Sequence, residues 1–183
     1  MATKTGVTGK LKILAEIFDD DAAGAGAENF NLAGANHLIE ALIPWATGTS
    51  DGQINLVWSD RIALAASGTT TLDLAGGLTD AFGHTLTFTV IKLLIVRNRN
   101  IVAGDNLKVG PAASNGWVGF WLDATDRNLV KAGIAGHPGL LILYEPAGIA
   151  VTGGTGDNLI ITELGAANTL NYDILIAGEG TYT

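Results

Sequence analysis

The side chains able to do chemistry are few and scattered. Three histidines, His37, His84 and His137, stand in no H-x-H or H-E-x-x-H spacing, so metal-assisted hydrolysis has no anchor. There is no cysteine, which excludes thiolate catalysis, disulfides and cysteine-ligated zinc together. Residues 19–21 are three aspartates, the residue type calcium favours. They lack the D-x-[DN]-x-[DN]-G spacing and the later glutamate of a calcium loop, and read as the solvated start of a linker. Residues 153–158, GGTGDN, are glycine-rich. A phosphate loop opens a helix, whereas the LIITEL that follows reads as a strand, so a hairpin is expected here. No G-x-S-x-G elbow is present. Carboxylate pairs for glycoside hydrolysis assemble only in a fold, and Asp60, Asp73, Asp80, Asp123 and Asp126 are the available acids. Trp45, Trp58, Trp117 and Trp121 can stack on sugar or fill a core. The cluster NGWVGFWLDATD, residues 115–126, is the first place to seek a carbohydrate site. These residues lead us to expect no metal, no cofactor and no enzymatic activity.

The elements that would position any of these residues are short. The chain has 183 residues, enough for one domain with an appended arm, and 48% of them are hydrophobic. Only 15% are charged and 25 are glycine, a balance that fits short strands joined by many turns and does not fit disorder. The formal net charge of -8 argues against a nucleic-acid partner. The basic residues cluster only at RNRN, residues 97–100, and at Lys4, Lys10 and Lys12. The first residues lack the apolar core of a signal peptide, and no apolar run reaches the roughly 18 residues of a membrane-spanning helix. The expectation is a soluble protein made in a cytoplasm, with no membrane partner.

LKILAEIF, residues 11–18, alternates Leu11, Ile13, Ala15 and Ile17 and predicts a strand that ends on Phe18. The Gly/Ala-rich residues 19–36 follow, with Phe30 and Leu32 as isolated apolar residues. Residues 1–36 are therefore expected to be an N-terminal arm, and residues 37–183 the folded domain. HLIEALIPW, residues 37–45, fits a short helix capped by Asn36 or a strand. The β character of everything after it favours the strand. INLVWSDRIAL places Leu56, Trp58, Ile62 and Leu64 on one face, with Asp60 intruding. TTTLDL does the same with Leu72 and Leu74. In TLTFTVIKLLIV, Leu86, Phe88 and Val90 share a face, and then the phase flips to Ile91, Leu93 and Ile95. Either a β-bulge near Ile91 restores the inward face, or the strand is covered on both sides, for instance by another subunit. NLKV, WVGFWL, GLLILYEP, IAV, NLIITEL and TLNYDILIA are further strand candidates. Many short strands and no long amphipathic helix predict an all-β antiparallel sandwich, jelly-roll-like, with an extended N-terminal arm.

Between two of these strands lies LDLAGGLTDAFGHTLTF, residues 72–88. It reads as a connection packed on the core and not as a ligand cradle. Its glycines supply positive φ, Asp80 and His84 flank the bend, and Leu78 and Phe82 are expected to plug the loop from beneath. The same stretch carries a resemblance. Residues 58–98, with LDLAGGLTDAFG, a strand and then K-x-L-x-V-x-N, resemble a segment of tailed-bacteriophage structural proteins. Residues 138–180, with D-x-L-x-I and then Y-D-I-x-I-x-G, look like the matching second half. The resemblance spans roughly residues 50–180 and implies a β-sandwich virion protein without catalytic residues, a decoration or cement protein on the outer capsid. Its implied partners are the major capsid protein and itself, as a dimer or trimer. The alternative is a tail or fibre component with a receptor- or carbohydrate-binding face. The residues expected at assembly contacts are Leu11, Ile13, Ile17, Phe18 and Phe30 of the arm, with Ile91, Leu93 and Ile95 of the long apolar strand.

Overall fold

The structure, a computed structural model, describes residues 9–14, 40–165 and 169–183, with side chains from Trp45 onward. The described residues form strands and turns without a helix. One sheet carries β4 (Leu56–Leu64), β7 (Thr85–Asn98), β10 (Gly139–Ala150) and β12 (Leu170–Tyr182) in the order β10-β7-β12-β4, and β6 (Ala75–Thr79) also pairs with β7. The second sheet orders β5 (Thr69–Asp73), β11 (Asn158–Glu163), β8 (Leu107–Pro111) and β9 (Asn128–Val130) as β5-β11-β8-β9. All pairings in both sheets are antiparallel. Leu72, Val109, Leu159 and Ile161 of the smaller sheet pack against Leu56, Phe88, Val96, Tyr172 and Ile176 of the larger one, so the fold is an all-β antiparallel sandwich. A third, outlying sheet joins β1 (Gly9–Leu14), β2 (Glu40–Thr47) and β3 (Gln53–Ile54) in that order, and its β2–β3 ladder is parallel.

Several sequence expectations shift in this fold. The first strand is Gly9–Leu14, and it pairs antiparallel with β2, Leu11 opposite Ile43 and Ile13 opposite Ala41. Residues 37–39 and the remainder of the expected arm, including Ile17, Phe18 and Phe30, lie outside the described residues. The strand reading of the segment before Trp45 agrees with β2. WVGFWL is a turn-rich loop and not a strand, because Trp117 folds back edge-on to both Phe120 and Trp121, at 5.6 and 6.1 Å between ring centres. GLLILYEP and the first two residues of IAV are one bulged strand, β10.

The connection at residues 72–88 is shorter than expected, because Ala75–Thr79 forms β6 and makes a hairpin with β7. Leu78 is buried as expected, but Phe82 is 79% exposed and plugs nothing. The turn is held by Asp80 instead. Its carboxylate accepts the backbone N–H groups of Phe82 at 2.8 Å and His84 at 3.0 Å, and Gly83 sits at φ +87°, which a side chain resists. These bonds, led by that from the His84 N–H, hold the Asp80 carboxyl down at about 2. A carboxyl lowered by folding stabilises the fold above its unfolded value, and that contribution is lost as pH falls through the folded value. We therefore expect an NMR titration to place the Asp80 midpoint near 2, with exchange protection of the Phe82 and His84 amides lost only below about pH 3. A midpoint near the ordinary 3.8 would contradict this turn geometry.

The phase flip in β7 resolves as two bulges. Against β12, Glu179 faces Val90 while Gly180 faces Phe88, so Thr89 is an extra residue. Ala177 faces Leu93 while Gly178 faces Ile91, so Lys92 is a second extra residue. Leu86, Phe88, Ile91, Leu94 and Val96 therefore all reach the core between the sheets. Leu93 and Ile95 point the other way, where Leu93, Ala177 and Ile54 are buried together beside Trp45, Tyr144 and Leu175. Both sequence alternatives hold in part, since the strand is bulged and also covered on its second face. The cover comes from Trp45 and Ile54 of the same chain.

Lys92 fastens that cover. Its side chain is buried, and its Nζ lies 2.6 Å from Glu179 Oε1 and donates to the carbonyls of Ser50 at 2.7 Å and Gln53 at 2.9 Å. A buried ammonium is tolerated only when its donors are satisfied and its charge is paired. Here the bulge turns Lys92 to the side where Ser50 in the turn before β3 and Gln53 at the start of β3 supply carbonyls and β12 supplies the carboxylate.

Candidate functional site

The outer face of the larger sheet can be read in cross-strand rows. One row is Tyr144, Leu93, Ala177 and Val57, on β10, β7, β12 and β4. The next is Ile142, Ile95, Leu175 and Ser59. The third is Leu140, Arg97, Asp173 and Arg61. The first row packs beneath Trp45 and Ile54, the second is half-buried except at exposed Ser59, and the third is the most exposed of the three. The face thus grades from a covered apolar patch through an open apolar shelf to a charged fence.

A groove of about 550 Å³ lies over the shelf and fence, lined by Ile95, Leu175, Leu140, Arg61, Arg97 and Asp173 among others. Beside it is a notch of about 110 Å³, formed by Arg97, Arg99, Ile101, Ile134, Gly136, His137 and Pro138. Arg97 borders both. Ile101, Ile134 and Leu140 are 58%, 68% and 56% exposed, an aliphatic cluster of the kind that marks contact surfaces. Asp173 is the hub of the fence. Its Oδ1 accepts from Arg61 Nε at 2.8 Å, and its Oδ2 accepts from an Arg99 nitrogen at 2.9 Å. Burial raises the Asp173 carboxyl, but the two arginine hydrogen bonds outweigh it and hold the group below its ordinary value.

The RNRN segment positions the arginines by strand alternation. Arg97 and Arg99 face outward, while Asn98 is buried. Asn98 Nδ2 donates to the carbonyls of Asp105 at 2.8 Å and Val130 at 3.2 Å, and its Oδ1 accepts the Asn100 N–H at 3.0 Å. The Asn100 carbonyl accepts the N–H of Gly133 at 2.8 Å. Ile134 and His137 exchange backbone hydrogen bonds at 3.0 and 2.8 Å around a turn whose Gly136 has φ +82°. The asparagines thus tie the loop after β7 to the segment before β10 and set the walls of the notch.

Of the residues expected at assembly contacts, Ile95 lines the open groove. Ile91 and Leu93 are buried by their own chain, Ile91 in the sandwich core and Leu93 beneath Ile54. Leu11 and Ile13 lie on β1, and Ile17, Phe18 and Phe30 fall outside the described residues. Trp58, Trp117 and Trp121 are core residues. Trp58 and Trp117 spend their indole N–H groups on the carbonyls of Thr79 at 3.1 Å and Ala150 at 2.9 Å, which leaves the NGWVGFWLDATD loop without an exposed indole for sugar. Asp60 and Asp123 are exposed. Asp60 lies on the core-side register of edge strand β4, and its Oδ1 accepts the Arg61 N–H at 2.7 Å; both features discourage another strand from adding there. Among the described residues no group of three His, Cys, Asp or Glu could hold a metal ion. Sequence reasoning missed Arg61, Asp173, Ile101, Ile134 and Leu140. The alternation in RNRN was the available signal for the two outward arginines, whereas their convergence with Arg61 on Asp173 depends on strand order.

Fold and face together define an all-β sandwich with a shallow surface of aliphatic and arginine side chains. No family model matches the chain, and no curated protein matches it.

Proposed function

We propose that this protein is a structural component of a tailed-phage particle, which binds the outer surface of the assembled head and stabilises it as a decoration or cement protein. It acts without catalysis or cofactor, is made in the host cytoplasm and is carried on the virion. Its partners are the major capsid protein and further copies of itself in a small symmetric oligomer. The observation that carries the reading is the exposed face where Ile101, Ile134 and Leu140 surround Arg97 and Arg99. Arginine is enriched at protein contacts and the centre of such contacts is apolar, and the surface is too open to enclose a small substrate. The resemblance of residues 58–98 and 138–180 to phage structural proteins supports the same conclusion. The alternative, a tail or fibre component reading a sugar, loses its aromatic platform with Trp58, Trp117 and Trp121 in the core.

The outlying sheet adds a second element. Strand β1 is the outer strand of that sheet, and an outer strand can extend pairing to a neighbour. Deleting residues 1–36 is expected to leave a β-type circular dichroism spectrum, because both sandwich sheets keep all their strands. Co-sedimentation with particles should fall, since several weak contacts on one oligomer multiply through effective concentration. Full co-sedimentation of the truncated chain would remove the arm from the account.

A further inference from the structure

We infer that the notch at Arg97 binds the carboxylate of an acidic side chain that sits beside an aliphatic residue on a partner protein. This names the partner chemistry of the proposed assembly face and rests on that reading of it. The fence sets three arginines around one carboxylate, and two of them hydrogen-bond it. Asp173 gives one oxygen to Arg61 and the other to Arg99. The Arg97 guanidinium is left 3.9 Å from Oδ2, beyond hydrogen-bonding distance, and makes no side-chain hydrogen bond among the described residues. Arg97 is thus a charged fork with open donors at the junction of a groove of mixed aliphatic and charged lining and a small notch.

The surroundings select the ligand. Arginine presents paired N–H donors that match the two oxygens of a carboxylate. Arg99 and His137 border the same notch and add positive charge and a ring nitrogen. Ile101, Ile134 and Pro138 complete its walls, so the group entering carries carbon next to its charge. Leu140 and Ile95 in the adjoining groove suit an aliphatic neighbour. The chain as a whole carries -8, which repels a polyanion such as nucleic acid or a phosphorylated polysaccharide but costs little against one carboxylate. The tied loop and turn hold the notch walls in place before any ligand arrives, which lowers the cost of ordering on binding.

The probe is the peptide acetyl-Leu-Asp-Leu-amide, titrated into the full chain and followed by NMR, with acetyl-Leu-Asn-Leu-amide and inorganic phosphate as comparisons. The Asp peptide should give saturable shifts at the Arg97 side chain, the His137 ring and the Ile134 and Leu140 methyls. Affinity should drop about tenfold for the Asn peptide and for Arg97→Gln, the size of one charge-assisted hydrogen-bonded pair, and Arg97→Lys should recover only part of it. Equal response to the Asn peptide, a response unchanged in Arg97→Gln, or no response at millimolar peptide would overturn the inference. A stronger response to phosphate than to the Asp peptide would overturn it in favour of a phosphate ligand. Particle co-sedimentation separates this from the broader reading. Wild-type protein that binds particles while Arg97→Gln binds equally well sinks the notch alone. Wild-type protein that binds no particle, yet still binds the Asp peptide, sinks the particle reading alone.

Discussion

Lys92→Ala is expected to lower the melting temperature by about 6–12 °C, the largest effect of any side-chain truncation on the outer face. The substitution leaves Glu179 without its 2.6 Å partner and strips donors from the carbonyls of Ser50 and Gln53, all on the covered side of the sheet. Removing one member of a buried ion pair costs about 3–5 kcal/mol, and a domain of this size loses about 2–4 °C per kcal/mol, so the lower end of the pair cost already gives that range. Because Lys92 ties the turn before β3 to β12, the loss should appear first as exchange of the amides around residues 50–54. Lys92→Met keeps the apolar stem and should cost less. A Lys92→Ala melt within about 1 °C of wild type would mean that the ion pair does not hold the outlying sheet in place.

The second large effect is at Gly178. It lies on β12 opposite the bulge at Lys92, and a Cβ there would overlap the carbonyl oxygen of Val90 and stand 2.9 Å from Ile91 Cα. Backbone cannot yield as a flexible side chain can, so Gly178→Ala should destabilise by about 3 kcal/mol or more, at the upper end of overpacking costs. Gly180, opposite the second bulge, meets the Thr87 carbonyl in the same way. A control separates this from a general effect of losing glycine. A Cβ on Gly153 would meet only Ala75 Cβ, at an ordinary 3.5 Å, so Gly153→Ala should stay within about 0.5 kcal/mol of wild type in a urea melt. Equal stability of the Gly178 and Gly153 variants would contradict the close approach of β7 and β12.

These two positions also show what the sequence could convey. The alternation in residues 56–64 and 85–88 predicted the inward faces correctly, because a strand buried on one side writes its period directly into residue type. The run from Ile91 to Val96 wrote no period, because both of its faces are covered. A bulge near Ile91 was legible from the broken phase. A second at Thr89 was not, because Phe88, Val90 and Ile91 are all apolar and leave the exact slip undecided. The strand candidate TLNYDILIA stopped at Ala177, yet Gly178 and Gly180 lie within β12, where a neighbouring backbone bulges toward them. Phe82 was misplaced for a different reason. Apolar type predicts burial only on average, and the tip of a tight hairpin offers no core to enter. The arginine-bearing outer face was least legible, since Arg61, Arg97 and Asp173 meet only through pairings between segments far apart in sequence.

Binding to the outside of an assembled phage head can be checked by counting this protein on purified particles. Quantitative mass spectrometry against the major capsid protein, with brief surface proteolysis, gives both copy number and location. Hundreds of copies per particle are expected, removable from outside while the capsid protein stays intact. A few copies per particle would place the protein in the tail, and none would remove it from the virion altogether.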